Sequence, residues 1–328
     1  MLYILKKKRG FLFACIFLFF PYKLEAVDTK TFHRLLPHLI SAGVFEYLEE
    51  FSDAIREYKT AIKYDPQDLN LHLKLISLYI KKGNYEEAIK ELKLILKFHP
   101  ASLESHYLLA LIYSLQNKDD LAKKEFEDFL KTAIKLDPGN LLLYHQLARY
   151  YFEENKFKEA KDIYKNILKN SPSDLKARHM LVQIYIKENL VSEAIEELKK
   201  ILELNPSDHI ALNSLGYLYA EKGINLDEAE ILIKKALEFE PNNGAYRDSL
   251  GWVYYQKSKL DLAIEELNKA VELLEDPIIY EHLGDAYFKN LDLIKAKEAW
   301  EKALELAPNN INLKNKLQTI NTNLQNAK

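Results

Sequence analysis

The sequence predicts an all-α fold, a line of about eight helical hairpins closed by one further helix, and three observations carry that prediction. Eight of the ten prolines, Pro66, Pro100, Pro138, Pro172, Pro206, Pro241, Pro277 and Pro308, fall at intervals of 34, 38, 34, 34, 35, 36 and 31 residues. A near-constant period in this range marks one supersecondary unit repeated along the chain. Glycine (9) and proline (10) are scarce for 328 residues, while Leu, Lys, Glu, Ile and Ala abound, which is the composition of a helical protein. With 48% hydrophobic and 29% charged residues, the chain has enough apolar material for a core and too much for disorder.

The first element, residues 1–26, reads as an export signal. Lys6, Lys7, Lys8 and Arg9 precede the apolar run 11–20 (FLFACIFLFF), and Leu24-Glu25-Ala26 stands before Val27, the three-part layout of a secretory leader. Cleavage is expected after Ala26. Two alternatives stay open: an uncleaved anchor, and a lipid on Cys15, because Leu12-Phe13-Ala14-Cys15 faintly resembles a lipoprotein signal. The run is shorter than the roughly 20 apolar residues of a spanning helix. Cys15 is the only cysteine, so a processed chain has no disulfide, no cysteine-zinc site and no thiol nucleophile.

After a short lead-in, residues 27–34, the repeats occupy 35–308. The clearest copy reads Tyr280, Leu283, Gly284 and Tyr287, then Ala296, Trp300, Ala303 and Pro308. The two units before it give Leu250, Gly251, Tyr254, Ala263, Leu267 and Ala270, and Leu215, Gly216, Tyr219, Ala229, Ile233 and Ala236. Further back the small position is Val182, Ala148, Ala110 and Ile76, while Tyr185, Tyr151, Tyr113 and Tyr79 keep step, as do Ala194, Ala160, Ala122, Ala88 and Ala54. The first unit is the least typical, with Ala42 and Phe45 as counterparts. Small residues are expected where two helices touch, with Gly216, Gly251 and Gly284 facing the recurring alanines, and each proline is expected to close a unit because it cannot continue a helix. The third unit gains four residues around Lys131 to Ile134, about one helical turn. In the sixth, Ile224-Asn225-Leu226 lengthens the turn between helices by one. Beyond Pro308, residues 309–328 carry Ile311, Leu313, Leu317, Ile320 and Leu324 near helical spacing, an amphipathic cap for the last hairpin.

This skeleton resembles the tetratricopeptide repeat, a 34-residue helix-turn-helix. The resemblance implies a right-handed superhelical α-solenoid whose first helices line a concave groove that receives an extended peptide or a partner's helix. It also implies that Trp300 is a core aromatic. The stretch from Asp248 to Lys289 is further similar to the C-terminal repeats of bacterial envelope adaptor proteins. A lysine and asparagine set in register to grip a C-terminal carboxylate is not found, which disfavours chaperone tails.

No glycine-rich phosphate loop, HExxH or GxSxG is present, and the nine histidines are scattered. No catalytic residue, metal ligand or cofactor is expected. The formal charge is −3, and setting aside the basic leader makes the remainder more acidic, which argues against nucleic acid. Membrane contact is expected only through an uncleaved leader or lipidation at Cys15. Helical phase points to groove-facing side chains. In the third to fifth units these include Tyr107, His145, Arg149, Lys176 and His179. In the last three they are Asn213, Tyr217, Asp248, Trp252, Tyr255, Glu281, Asp285 and Phe288. Aromatic residues beside charges are what protein interfaces use. The expected function is therefore a non-enzymatic, exported scaffold or adaptor that binds proteins or peptides in the periplasm or cell envelope, the alternative being a carrier for a glycan or small molecule along the same aromatic groove.

Overall fold

Paired helices with no strand account for the described residues, 28–326 of a computed structural model, with side chains described to 322. The expectations for residues 1–26, Ala26 and Cys15 among them, lie outside the described residues, as does the side chain of Leu324.

Seventeen helices follow one another among these residues: α1 (Thr29–Tyr47), α2 (Phe51–Ile62), α3 (Leu69–Lys81), α4 (Tyr85–Phe98), α5 (Leu103–Leu115), α6 (Asp119–Leu136), α7 (Leu141–Glu153), α8 (Phe157–Asn170), α9 (Leu175–Lys187), α10 (Val191–Leu204), α11 (His209–Lys222), α12 (Leu226–Phe239), α13 (Gly244–Gln256), α14 (Leu260–Leu273), α15 (Pro277–Lys289), α16 (Leu293–Leu306) and α17 (Ile311–Asn326). They fall into two compact units, Met1–Glu154 and Asn155–Lys328. In the first, hairpins α1–α2, α3–α4 and α5–α6 stack in order and α7 packs on α6. In the second, α8 packs on α9, hairpins α9–α10, α11–α12, α13–α14 and α15–α16 stack in order, and α17 covers α16. No described helix is long and apolar enough to cross a membrane.

Each turn is encoded locally. First helices start at side-chain caps: Asp68, Ser102, Asp174, Asp208, Asn243 and Asp276 accept backbone N–H bonds from the first turn, satisfying donors that no helix can pair internally. Between the helices of every hairpin one residue turns left-handed: Glu49, Gly83, Asn117, Asn155, Asn189, Gly223, Ser258 and Leu291. Asparagine and glycine predominate there because they tolerate positive φ best. In the sixth unit Asn225 is left-handed as well, which is how the extra residue is absorbed. The third unit's insertion lengthens α6 to 18 residues against 14 in α4.

The prolines do not all act alike. Seven of the eight stand two residues before the residue that precedes a first helix or the final cap, but Pro277 is the first residue of α15. Its missing N–H costs nothing at that position, and the displaced proline accounts for the uneven intervals of 36 and 31.

The close contacts also differ from expectation. The alanines Ala54, Ala88, Ala122, Ala160, Ala194, Ala229, Ala263 and Ala296 are fully buried. The glycines, however, face the large residue four positions beyond each alanine. A Cβ on Gly216 would lie 2.6 Å from Ile233 Cγ1, one on Gly251 2.6 Å from Leu267 Cγ, and one on Gly284 would strike the Trp300 indole. The alanine contributes its carbonyl, 3.0 Å from the Gly216 position and 3.2 Å from that of Gly251.

The recurring tyrosines join successive hairpins. Lys59, Lys93, Lys199 and Lys234, each on the preceding second helix, lie 5.6 to 6.0 Å from the ring centres of Tyr79, Tyr113, Tyr219 and Tyr254. Such cation–π contacts are worth about 0.5–1 kcal/mol where solvent reaches them. Residues 29–34, within the lead-in, are already the first turns of α1. At the other end Leu313, Leu317 and Ile320 of α17 bury against Trp300 and Ala303, but Ile311 is 70% exposed and takes no part in that face.

Candidate functional site

In the second unit the first helices α11, α13 and α15 touch in sequence, and α15 touches α17 through side chains. Their predicted groove-facing residues meet along this surface. Trp252 stacks on Tyr255 with ring centres 4.6 Å apart and planes 7° apart, and it also stacks on the His282 ring at 4.1 Å and 18°. Lys289 Nζ sits 4.3 Å from the Tyr255 ring centre. The result is a four-layer ladder, His282, Trp252, Tyr255 and Lys289, spanning two repeats. Offset stacking of this kind fixes rings without polar bonds.

The acidic residues of the stripe are paired within the chain. Asp248, 7% exposed, lies 2.8 Å from His282 Nδ1. Lys316 of α17 donates to Glu281 at 2.8 Å and to both oxygens of Asp285 at 2.6 and 2.8 Å. Burial works against the Lys316 ammonium, yet the bonds from Asp285 and Glu281 hold its pKa above the ordinary lysine value. Tyr217 is half-buried, and burial, followed by the charges of Glu221 and Asp248, pushes its hydroxyl up to about 12. Burial and Asp285 raise Tyr255 as well. Asn213 Oδ1 is buried and has no protein partner among the described residues. Phe288 leans on Trp300 at 5.4 Å and remains 37% exposed.

The other predicted residues are placed differently. His179 pairs with Asp208 at 2.9 Å, and Lys176 is exposed on α9. In the first unit Tyr107 packs on Phe129, His145 is buried, and exposed Arg149 pairs with Glu153 one turn along α7. The residues that sequence reasoning missed are His282, Lys289 and Lys316. Two of them were signalled by the period itself, since His282 meets Asp248 and Lys289 donates to the Tyr255 carbonyl, each 34 residues away.

A second recurring device links the two helices of a hairpin. His38 meets Glu57, His72 meets Glu91, His106 meets Glu125, Arg178 meets Glu197 and Arg247 meets Glu266, all 19 residues apart and at 2.6 to 2.8 Å. The same side chains reach back six residues in three cases: His72 Nε2 lies 3.0 Å from the Pro66 carbonyl, and Arg178 and Arg247 donate to those of Pro172 and Pro241. The first unit builds this rung from histidine and the second from arginine. His106, Glu125 and Asp128 bring three potential metal ligands within 4.8 Å of one another. The first two are simply the rung that recurs at His38 and His72 without a third acid, so an ion pair explains them.

The His72 rung makes the first unit sensitive to pH. Burial works against the charged form of His72, but Glu91, the Pro66 carbonyl and then Asp68 hold its pKa above the ordinary histidine value. A raised folded pKa contributes stability in full below the unfolded value of about 6.5, and that contribution disappears as pH rises through the folded pKa. The His38 bond lowers the pKa of Glu57, a contribution that is instead lost as pH falls through the folded carboxylate pKa. Urea unfolding at pH 6 and pH 9 is expected to show a lower midpoint at pH 9, and His72→Gln is expected to shrink that difference. Equal pH sensitivity in both proteins would remove His72 as the cause.

Profiles of the tetratricopeptide repeat match residues 48–126 and 151–216, 246–276, and 277–310. No curated protein matches the chain. Among solved structures, the anaphase-promoting complex hetero-tetramer Cut9-Hcn1 aligns with a TM-score of 0.53 at 18% identity, over 86% of this chain and 55% of that one. A tetratricopeptide repeat protein from Parabacteroides merdae aligns at 0.47 and 17% identity over 88% and 99%, and TTC0263 from Thermus thermophilus at 0.47 and 22% over 55% and 98%. At 18% identity the likeness to Cut9-Hcn1 shows the fold alone.

Proposed function

The chain belongs to the tetratricopeptide repeat family, and on that premise we propose that it is a non-enzymatic scaffold or adaptor of the bacterial cell envelope, holding a peptide or partner helix along the first-helix surface of its second unit. Proteins of this family generally mediate protein–protein contacts and are generally not catalysts. The observation that carries the choice of surface is the ladder of His282, Trp252, Tyr255 and Lys289. Its rings are held before any partner arrives, and rigid aromatic residues beside cations dominate binding energy at protein interfaces. The basic and apolar layout of residues 1–26 supports export.

The ladder also favours a protein over a sugar. A sugar ring stacks on an open aromatic face, and Trp252 already stacks on both Tyr255 and His282.

Affinity capture from envelope extract, with the protein and with Trp252→Ala/Tyr255→Ala as baits, tests this reading. The expected result is a set of partners that the double variant loses at least tenfold, about 1.4 kcal/mol. The same partners at equal yield on both baits would place binding elsewhere. Recovery of the protein from the cytosolic fraction of its own cells would refute the envelope setting.

A further inference from the structure

The two ends of the array are finished differently. At the C-terminal end, α17 turns Asn315, Gln318, Thr319 and Thr322 outward, the polar face that a terminal repeat needs to stay soluble. The N-terminal helix does not. On α1 and its first following residue, Ile40 is 59% exposed, Val44 51%, Tyr47 86% and Leu48 55%, with half-buried Leu36 on the same face.

Comparison with the next hairpin shows how unusual this is. One period on, Leu36, Ile40, Tyr47 and Leu48 become Asn70, Lys74, Lys81 and Lys82, the residues expected on a solvated face. Val44 corresponds to Leu78, which is fully buried. At another position buried one period on, Ser41 stands in place of Leu75. The helix thus keeps a greasy stripe. Leu36, Ile40, Gly43 and Tyr47 follow a 4-3-4 spacing, the seam of two packed helices. A Cβ at Gly43 would meet nothing within 4 Å, so another backbone can approach there closely.

We infer that this stripe is a self-association surface, where α1 of one copy packs antiparallel on α1 of a second copy about a two-fold axis near residue 42. The charge distribution selects that occupant and orientation. Lys30 and Arg34 lie at the start of α1, and Glu49 and Glu50 just past its end, so an antiparallel pair sets each basic end against the other's acidic end, whereas a parallel pair opposes like charges. The register places Leu36 against Leu48 of the partner subunit, Ile40 against Val44 of the partner subunit and Arg34 against Glu50 of the partner subunit. Because the contact is isologous it closes at two copies. A standard interface buries about 800 Å² on each side, more than one helix face supplies, so the dimer is weak, with a Kd on the order of 10 μM.

Sedimentation velocity of the full chain from about 1 to 200 μM, bracketing that Kd, tests the inference. A reversible monomer–dimer equilibrium is expected. Ile40→Asp should weaken it at least tenfold without moving the melting midpoint of the dilute monomer, since Ile40 is exposed. Arg34→Glu and Glu50→Arg alone should each weaken it about fivefold, and the two together should restore it. Should Ile40→Asp disturb folding, the charge exchange still decides the matter. A chain that stays monomeric throughout, its stripe covered by its own N-terminal segment or bare, overturns the inference. So does open-ended assembly, indifference to Ile40→Asp, or failure of the double exchange to restore the dimer.

Discussion

Trp300→Ala is expected to destabilise the C-terminal end of the second unit by about 3–5 kcal/mol, the range for truncating a buried tryptophan. Trp300 is 3% exposed and sits where three elements meet. Its ring fills the space above Gly284 on α15 and packs with Leu313, Leu317 and Ile320 of α17. Its Nε1 donates to Asp285 Oδ1 at 3.0 Å and to the Glu281 carbonyl at 3.3 Å, and Lys316, which binds those same two residues through their side chains, lies 5.5 Å from its ring centre. Removing the indole opens a cavity and takes a donor from a carboxylate that is already half-buried. In a linear array each repeat leans only on its neighbours, so the damage should stay local. Hydrogen exchange should accelerate in α15 to α17 and remain unchanged in α9 to α11. A urea midpoint equal to that of the parent protein would show that α17 does not depend on this residue.

The distance between sequence and structure follows from what a repeat can and cannot encode. The period gave the hairpins, the lengthened α6, the widened sixth turn and the covering role of Leu313, Leu317 and Ile320, because each of these is local to one unit. The partners of Gly216, Gly251 and Gly284 were misread, since the alanines recur more visibly than Ile233, Leu267 and Trp300 although the latter supply the bulk. Pro277 belongs to the near-periodic series of prolines and differs from the others in place and role. The candidate surface was legible as a list of aromatic and acidic residues and not as a network. Helical phase says which way a side chain leaves its helix, whereas the Asp248–His282 pair and the Lys316 contacts depend on what the next element brings. Reading the period sideways, one repeat against the next, would have found the first of these. The 19-residue rungs were hidden for a different reason, since histidine in one unit and arginine in the other do not look like one position until both are seen reaching a glutamate.

That equivalence sets up the second large effect. Arg178→Leu should cost the second unit about 2–4 kcal/mol, because it leaves Glu197 in a poorly solvated place with only part of its pairing. The Arg178 and Glu197 side chains are 13% and 12% exposed and lie 2.6 Å apart, and the guanidinium also holds the Pro172 carbonyl at 2.8 Å. Lys200, 2.8 Å from the other oxygen of Glu197, keeps the loss below that of a fully orphaned buried charge. If the penalty comes from stranding the acid, removing it as well should return most of the stability, so Arg178→Leu/Glu197→Met is expected within about 1 kcal/mol of the parent. If it comes from the bond to Pro172, which orders the turn leading into α9, the double variant will be no better than the single one. Arg178→His separates the units' two chemistries: it rebuilds the first unit's rung inside the second, and the difference between urea midpoints at pH 6 and pH 9 should then exceed that of the parent, with the lower value at pH 9. Histidine stands at this position in three hairpins of the first unit and arginine in two of the second, with the helices and their order left unchanged.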